Sequence, residues 1–433
     1  MIKKLTPRKN NVWRLFVLLS YALFVSSPYA SNQETTRLTI QDAVAQAWLL
    51  APELRAARAQ EQQHQELAIA ESQLSDPSLT LGVANVPVNS FSLNQEQMTQ
   101  GIIGLQQVLP KGQSLAIKSK IQTSLAAAEG ANWRAQRNMI QLQVRQTWLE
   151  LYYWLQAKRI VAKNKRLFAH LVRVTESLLA AGKQKQPDVL SAKLELTNLE
   201  NKQIMIDQEI AMQRAKLARW VGQRAASQAL ASQLPTWQVI TNPDKQLQLL
   251  AHQPKLQADE AMVQASQQGV RLADQQYKPG YTLGVNYGVR QSRNRDGSHR
   301  PDFISAQVKI DLPIFTAKRQ TKQLQASFHQ LETTQEQRLR DYRELREQLT
   351  LAQVTHQQLL RQINLYKRHL LPEAEQYAQA SLNAYENDQV DFPALARAYV
   401  NDLDAQLAHL RLVINLKQTQ AMLLYLTSSS SSS

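Results

Sequence analysis

The sequence contains no cysteine, which removes disulfides, thiolate metal sites and a lipid-acceptor thiol near a mature N-terminus. Glycine and proline are scarce, 12 and 15 in 433 residues, and aromatics make up 6%, so long uninterrupted helices should dominate. Beyond residue 30 no stretch is apolar enough for a transmembrane helix. Entry into a membrane would then need a β-barrel, because only helices and closed barrels satisfy every backbone polar group in lipid. Catalytic motifs are missing as well: there is no paired nucleophile and base, no Gly-rich phosphate loop and no cluster of metal ligands. Lone helical histidines such as His356 and His409 read as surface or packing residues. Neither an enzyme nor a cofactor or metal site is expected.

What the sequence does have begins with a leader. Lys3, Lys4, Arg8, Lys9 and Arg14 precede an apolar run from Leu15 to Val25, then Ser26, Ser27, Pro28, Tyr29 and Ala30. This is the pattern of a signal peptide, 1–30, cleaved after Ala30; the run is too short for an inner-membrane anchor. Loss of those five basic residues lowers the formal charge of +15 to +10. The remaining charge is spread along the chain, which together with export argues for solvated helix faces and against nucleic acid.

A duplication organises the rest. Pro52, Leu54, Ala56, Ala59, Pro77, Thr80, Leu81, Gly82 and Val83 recur 202 positions later as Pro254, Leu256, Ala258, Ala261, Pro279, Thr282, Leu283, Gly284 and Val285. Leu179, Ala181, Gln186 and Asp188 recur at 203 as Leu382, Ala384, Gln389 and Asp391. That period is far longer than a solenoid unit. The first repeat spans 31–235, with a strand pair at about 78–109 and a long helical hairpin at about 111–220. The second spans 236–427, with a strand pair at about 280–312 and a hairpin at about 314–426; the serines at 428–433 read as a disordered tail.

Alternation marks the strands. Tyr281, Leu283, Val285, Tyr287 and Val289 share one face, opposite Thr282, Gly284, Asn286, Gly288 and Arg290, and Ile304, Ala306, Val308, Ile310 and Leu312 oppose Ser305, Gln307, Lys309 and Asp311. An apolar face backed by small or polar residues suits a lipid-facing barrel strand with a wet lumen. The first repeat is weaker, with Leu79, Leu81 and Val83 alternating before Pro87 and Ile102–Leu109 alternating only in part. Four strands cannot close a barrel and an open edge in lipid is forbidden, so three chains would share a twelve-stranded barrel.

No proline interrupts Lys111–Ala181, and apolar residues step by four and three through Val144, Trp148, Leu151, Leu155, then Leu167, Leu171, Val174, Leu178. In the second repeat Leu359, Ile363, Tyr366, Leu370 and Leu403, Leu407, Leu410, Ile414 do the same, which is the seam of coiled-coil packing. Each hairpin turns where periodicity fails, at 182–188 and 385–391, with Asp188 and Asp391 placed to N-cap the returning helices.

The duplicated unit, the opening Leu38–Val44 and the tip pattern of Gly182 with Asp188 together resemble the TolC family of outer-membrane efflux proteins. Asp76–Leu81 and Gly104–Gly112 are similar to its heavy-metal branch, the CzcC- and CusC-like proteins. The resemblance implies an α+β, mainly α fold: an outer-membrane β-barrel, four strands per chain and twelve in a homotrimer, continued by a long periplasmic α-helical barrel. It implies localisation in the outer membrane lipid and partnership with a periplasmic adaptor (membrane fusion protein) and an inner-membrane transporter of the resistance-nodulation-division (RND) type. The expected function is the exit duct of a tripartite efflux pump passing heavy-metal cations; drug or protein export, and a soluble periplasmic coiled-coil adaptor, are the alternatives. By resemblance the aperture lies at the tips, at Gly182 and Asp188 in the first and Tyr385, Glu386, Asp388 and Asp391 in the second. The sequence departs from the family at Tyr385, where a second tip glycine is expected, and lacks the lipidated cysteine of some members.

Overall fold

A computed structural model describes residues 37–428. The expected signal peptide at 1–30 and serines 429–433 lie outside the described residues. Ser428, assigned above to a disordered tail, is instead tied down: its hydroxyl accepts from Asn138 Nδ2 at 2.9 Å.

The chain opens with α1 (Ile40–Leu50), whose Thr39 and Asp42 form a reciprocal capping box. Helix α2 (Pro52–Ala70) starts on a proline and ends before Pro77, after which the chain extends into β1 (Ser78–Ala84) and β2 (Gln100–Leu109). Then come α3 (Ser114–Ala180) and α4 (Gln186–Val221), a short turn α5 (Gln223–Ala226) and α6 (Pro243–Leu250). Helix α7 (Pro254–Gln275) leads to β3 (Gly280–Val289) and β4 (Phe303–Asp311), matching α2, β1 and β2. The 67 residues of α3 reach about 100 Å at 1.5 Å per residue, much longer than a globular core needs.

The four strands form one antiparallel sheet in the order β1-β2-β3-β4. Register sets Leu81, Ile103, Tyr287 and Ile304 in one row and Leu79, Leu105, Val285 and Ala306 in the next. The large apolar residues of these rows are solvent-exposed in the single chain, from 46% at Tyr287 to 78% at Ile304. The opposite face carries Gln106, Gly284 and Gln307 in one row and Gly104, Asn286 and Ser305 in another. Glycine is required on that face where polar side chains lie flat: a Cβ on Gly104 would collide with the Asn286 amide and one on Gly288 with the Gln100 amide. Between the hairpin loops Arg290 is a clasp, buried to 6% exposure, donating to the carbonyls of Pro301 and Gln97 and stacked 3.9 Å from the Phe303 ring. The turn at 291–301 closes on itself through Asn294 and Ser298, with Gly297 at φ 80°.

The main core forms where α1, α3, α4 and the C-terminal helix meet, around Trp148, Phe168, Leu217 and Leu403. The indole of Trp148 donates to the Leu38 carbonyl at 3.1 Å, anchoring the segment just before α1. Val144, Trp148, Leu151 and Leu171 of the expected seam are buried, but farther along Phe168 and Thr175 are buried while Leu167, Val174 and Leu178 are only half-buried. The expected narrow stripe is too narrow, because α3 packs on helices from both hairpins.

The second hairpin departs from the first in its ascending arm. That arm divides into α8 (Gln320–Leu365), a five-residue π segment (Tyr366–Leu370) and α9 (Leu371–Glu386), before α10 (Phe392–Leu426) returns. The cause is Pro372, whose ring and missing N–H break the i→i−4 ladder; the position 203 residues earlier is Ala169, within uninterrupted α3. Here Tyr366 is half-buried and Leu370 exposed, so the expected seam is not covered within one chain. Pro372→Ala is expected to restore regular helix and raise stability by about 1 to 3 kcal/mol, read as a higher Tm of the full chain. An unchanged or lower Tm would contradict this cause.

Candidate functional site

Two helical turns, 181–185 between α3 and α4 and 387–391 between α9 and α10, lie side by side. Both close with the same pair of backbone hydrogen bonds. In the first, Gly182 N donates to Leu179 O at 3.0 Å and Lys183 N to Leu178 O at 2.9 Å; in the second, Asp388 N donates to Tyr385 O at 3.1 Å and Gln389 N to Ala384 O at 2.8 Å. This is the Schellman closure, which requires a left-handed residue. Gly182 supplies it at φ 70° and Asp388 at φ 55°. The structural partner of Gly182 is therefore Asp388, 206 positions on, not Tyr385 at 203.

That shift follows from a longer helix. In the second repeat α9 runs on to Glu386, so Tyr385 sits in its last turn with its ring turned inward at 7% exposure. Its ring packs edge-to-face on Phe392 with centroids 6.0 Å apart, and its hydroxyl accepts from Gln184 Nε2 of the other tip at 2.9 Å. Burial pushes the Tyr385 phenol above its usual pKa, and the negative charges of Asp188 and Asp388 push the same way against the Gln184 bond. Residue 385 is thus the bolt between the hairpins, a role that glycine could not fill.

The capping expectation holds for one aspartate. Asp391 is the N-cap of α10, accepting from Ala394 N at 3.1 Å, with Pro393 in the first turn behind it. Asp188 is not an N-cap: Lys185 holds that position without a side-chain bond, and Asp188 lies in the first turn of α4, where its charge favours the helix N-terminus.

Between the turns is an open cleft of about 810 Å³. The structure brings Gly182, Asp188, Tyr385, Asp388 and Asp391 together at its walls. Glu386 is not among them; it is exposed, and its charge acts on Tyr399 of α10, whose phenol burial raises first and Glu386 raises further. Sequence reasoning also missed Lys183, Gln184 and Lys185, which line the same cleft. Two ammonium groups thus share it with three carboxylates, although no tip salt bridge forms among the described residues. No group of three or more metal-ligating side chains is assembled among the described residues, at the tips or elsewhere.

With this geometry in view, the comparisons show the fold. CusC shares the fold with a TM-score of 0.73 at 15% identity over 90% of this chain and 92% of that one. The outer membrane protein VceC of Vibrio cholerae gives 0.77 at 20% identity over 90% and 96%, and the CmeC outer membrane channel of Campylobacter jejuni gives 0.76 at 12% over 97% and 94%. By sequence, no curated protein matches. Residues 247–427 match the family model described as outer membrane efflux protein. That match covers the second repeat alone, while the likeness to the solved channels extends over both repeats and shows a common fold.

The left-handed position gives a direct test. Asp388→Val is expected to lose about 1 to 2 kcal/mol, because a β-branched residue resists positive φ, while Asp388→Gly should keep or raise the Tm. Equal melting of the two variants would refute the turn assignment.

Proposed function

We propose that this chain is the exit duct of a tripartite efflux pump, a homotrimer that closes a twelve-stranded barrel in the outer membrane and continues into the periplasm as a helical tunnel. The observation that carries it is the four-stranded sheet, whose large apolar residues on one face are exposed and whose two edges, β1 and β4, are unpaired in one chain. Lipid covers the first feature and sister chains cover the second. Exposed Leu190, Leu194, Ile204 and Leu351 on the hairpins fit the same assembly, as surfaces that neighbouring helices would bury. Energy for transport comes from an inner-membrane RND transporter linked by an adaptor; the chain itself only conducts. Cross-linking and mass measurement of detergent-extracted protein should give a trimer in the membrane fraction. A detergent-free, stable monomer would end the proposal.

The tips form the periplasmic aperture in this reading. Three copies of Asp188, Asp388 and Asp391 would set a field that favours cations, moderated by Lys183 and Lys185. Heavy-metal cations are the cargo favoured by the likeness of 76–81 and 104–112 to the heavy-metal branch, while the lysines in the cleft favour the second reading, a duct for drugs of mixed charge. Asp391→Asn should lower cation over anion selectivity in single-channel recordings, or raise conductance by loosening α10's first turn. Wild-type conductance and selectivity would remove Asp391 from the aperture.

A further inference from the structure

Away from the tips, a cavity of about 430 Å³ opens beside α3, α4 and the segment 229–232. Its charge is one-sided: Arg37, Lys158, Arg159 and Arg214 line it and no carboxylate does. Lys158 is neutralised from outside by Asp207 of α4 at 2.6 Å. Among the described residues the three arginines form no salt bridge, and Arg159 donates only to the neutral Gln156 amide at 3.2 Å. Arg214 Nε is buried with no hydrogen-bond partner, although a guanidinium N–H withdrawn from water costs free energy unless an acceptor meets it.

The walls are fixed independently of any ligand. Leu38 N donates to Ala229 O at 2.8 Å and Ala231 N to Leu38 O at 3.2 Å, a short parallel bridge that pins one rim. Tyr152 Oη donates to the Ser232 carbonyl at 2.8 Å on the other side. Burial raises the Tyr152 phenol while the positive charge of Arg159, another lining residue, opposes it. Leu155 and Leu230 add an apolar patch. In the second repeat the positions 203 residues after Arg159 and Arg214 are Gln362 and Lys417, so neither guanidinium has a counterpart there.

We propose that this cavity is a binding site for a small soluble anion of multiple charge, bearing phosphate or carboxylate groups. Guanidinium forks match both groups in bidentate geometry, the unpartnered Arg214 Nε supplies a waiting donor, and the volume fits a compact organic polyanion. A lipid headgroup does not fit: Tyr152 lies 38 residues into α3 from Ser114, roughly 60 Å along the helix from the sheet. That exclusion alone rests on the sheet being the membrane end; the site does not.

The test is isothermal titration calorimetry of the purified full chain in detergent, with pyrophosphate and with tricarballylate at constant ionic strength. Saturable binding of either probe is expected, weakened at least tenfold by Arg159→Gln and by Arg214→Gln and unchanged by Arg224→Gln, an exposed arginine outside the cavity. Arg159 is itself exposed, so its variant keeps the test valid should Arg214→Gln unfold, as circular dichroism would show. No saturable heat with either probe, or equal weakening by all three substitutions, would overturn the site. Neither result bears on whether the chain is a duct.

Discussion

Backbone hydrogen bonding at the sheet edges is the constraint on which the architecture depends. A strand in lipid that lacks a neighbour leaves a row of N–H and C=O groups without partners, each costing several kcal/mol. One chain pairs β1 with β2, β2 with β3 and β3 with β4, and leaves two edges open. Closing them within one polypeptide would need more strands; closing them with copies needs only a rotation. The large exposed apolar residues of the outer rows point the same way, since water would penalise them and lipid would not.

The helical half follows from that choice. In the proposed assembly a barrel shared by several chains hands each chain's helices to a common ring, so each hairpin would be long and keep apolar residues for neighbours outside its own chain. This explains why α3 is buried on a broad face while the seam of α8 and the π segment is only partly covered. The two hairpins are not equivalent. Pro372 breaks the ladder in one and Ala169 leaves it whole in the other, so the second arm carries its softer point in the π segment Tyr366–Leu370, well before the tip turn that begins at Asn387.

Much of this was legible in the sequence because its signals are local and repeated. Pro77 and Pro279 mark the change from helix to strand, and the alternation from Tyr281 to Val289 fixes which face turns outward before any register is known. The weaker first repeat was still readable through its twin. Tertiary features were less accessible. The buried position of Phe168 depends on α10 crossing α3, where its ring meets Tyr399, a contact between residues far apart in the chain. Pro372 was in plain view, but whether a proline ends a helix, kinks it or induces a π segment depends on what packs around it.

The tips show best where such reading stops. Alignment at a fixed offset sets Tyr385 against Gly182 and makes the absence of glycine look like a defect. A helix that continues for one more turn carries the left-handed position to Asp388, and Asp tolerates it better than most side chains. The position left behind is then inside a helix, where glycine has no advantage and an aromatic ring can be buried against Phe392 and bonded to Gln184. The same slip moves the N-cap from the expected Asp188 to Lys185 in one repeat and leaves it on Asp391 in the other. Duplication therefore preserved the hydrogen-bond geometry of the turn while its sequence drifted along the helix, and what the two tips share is a backbone closure carried by different residues.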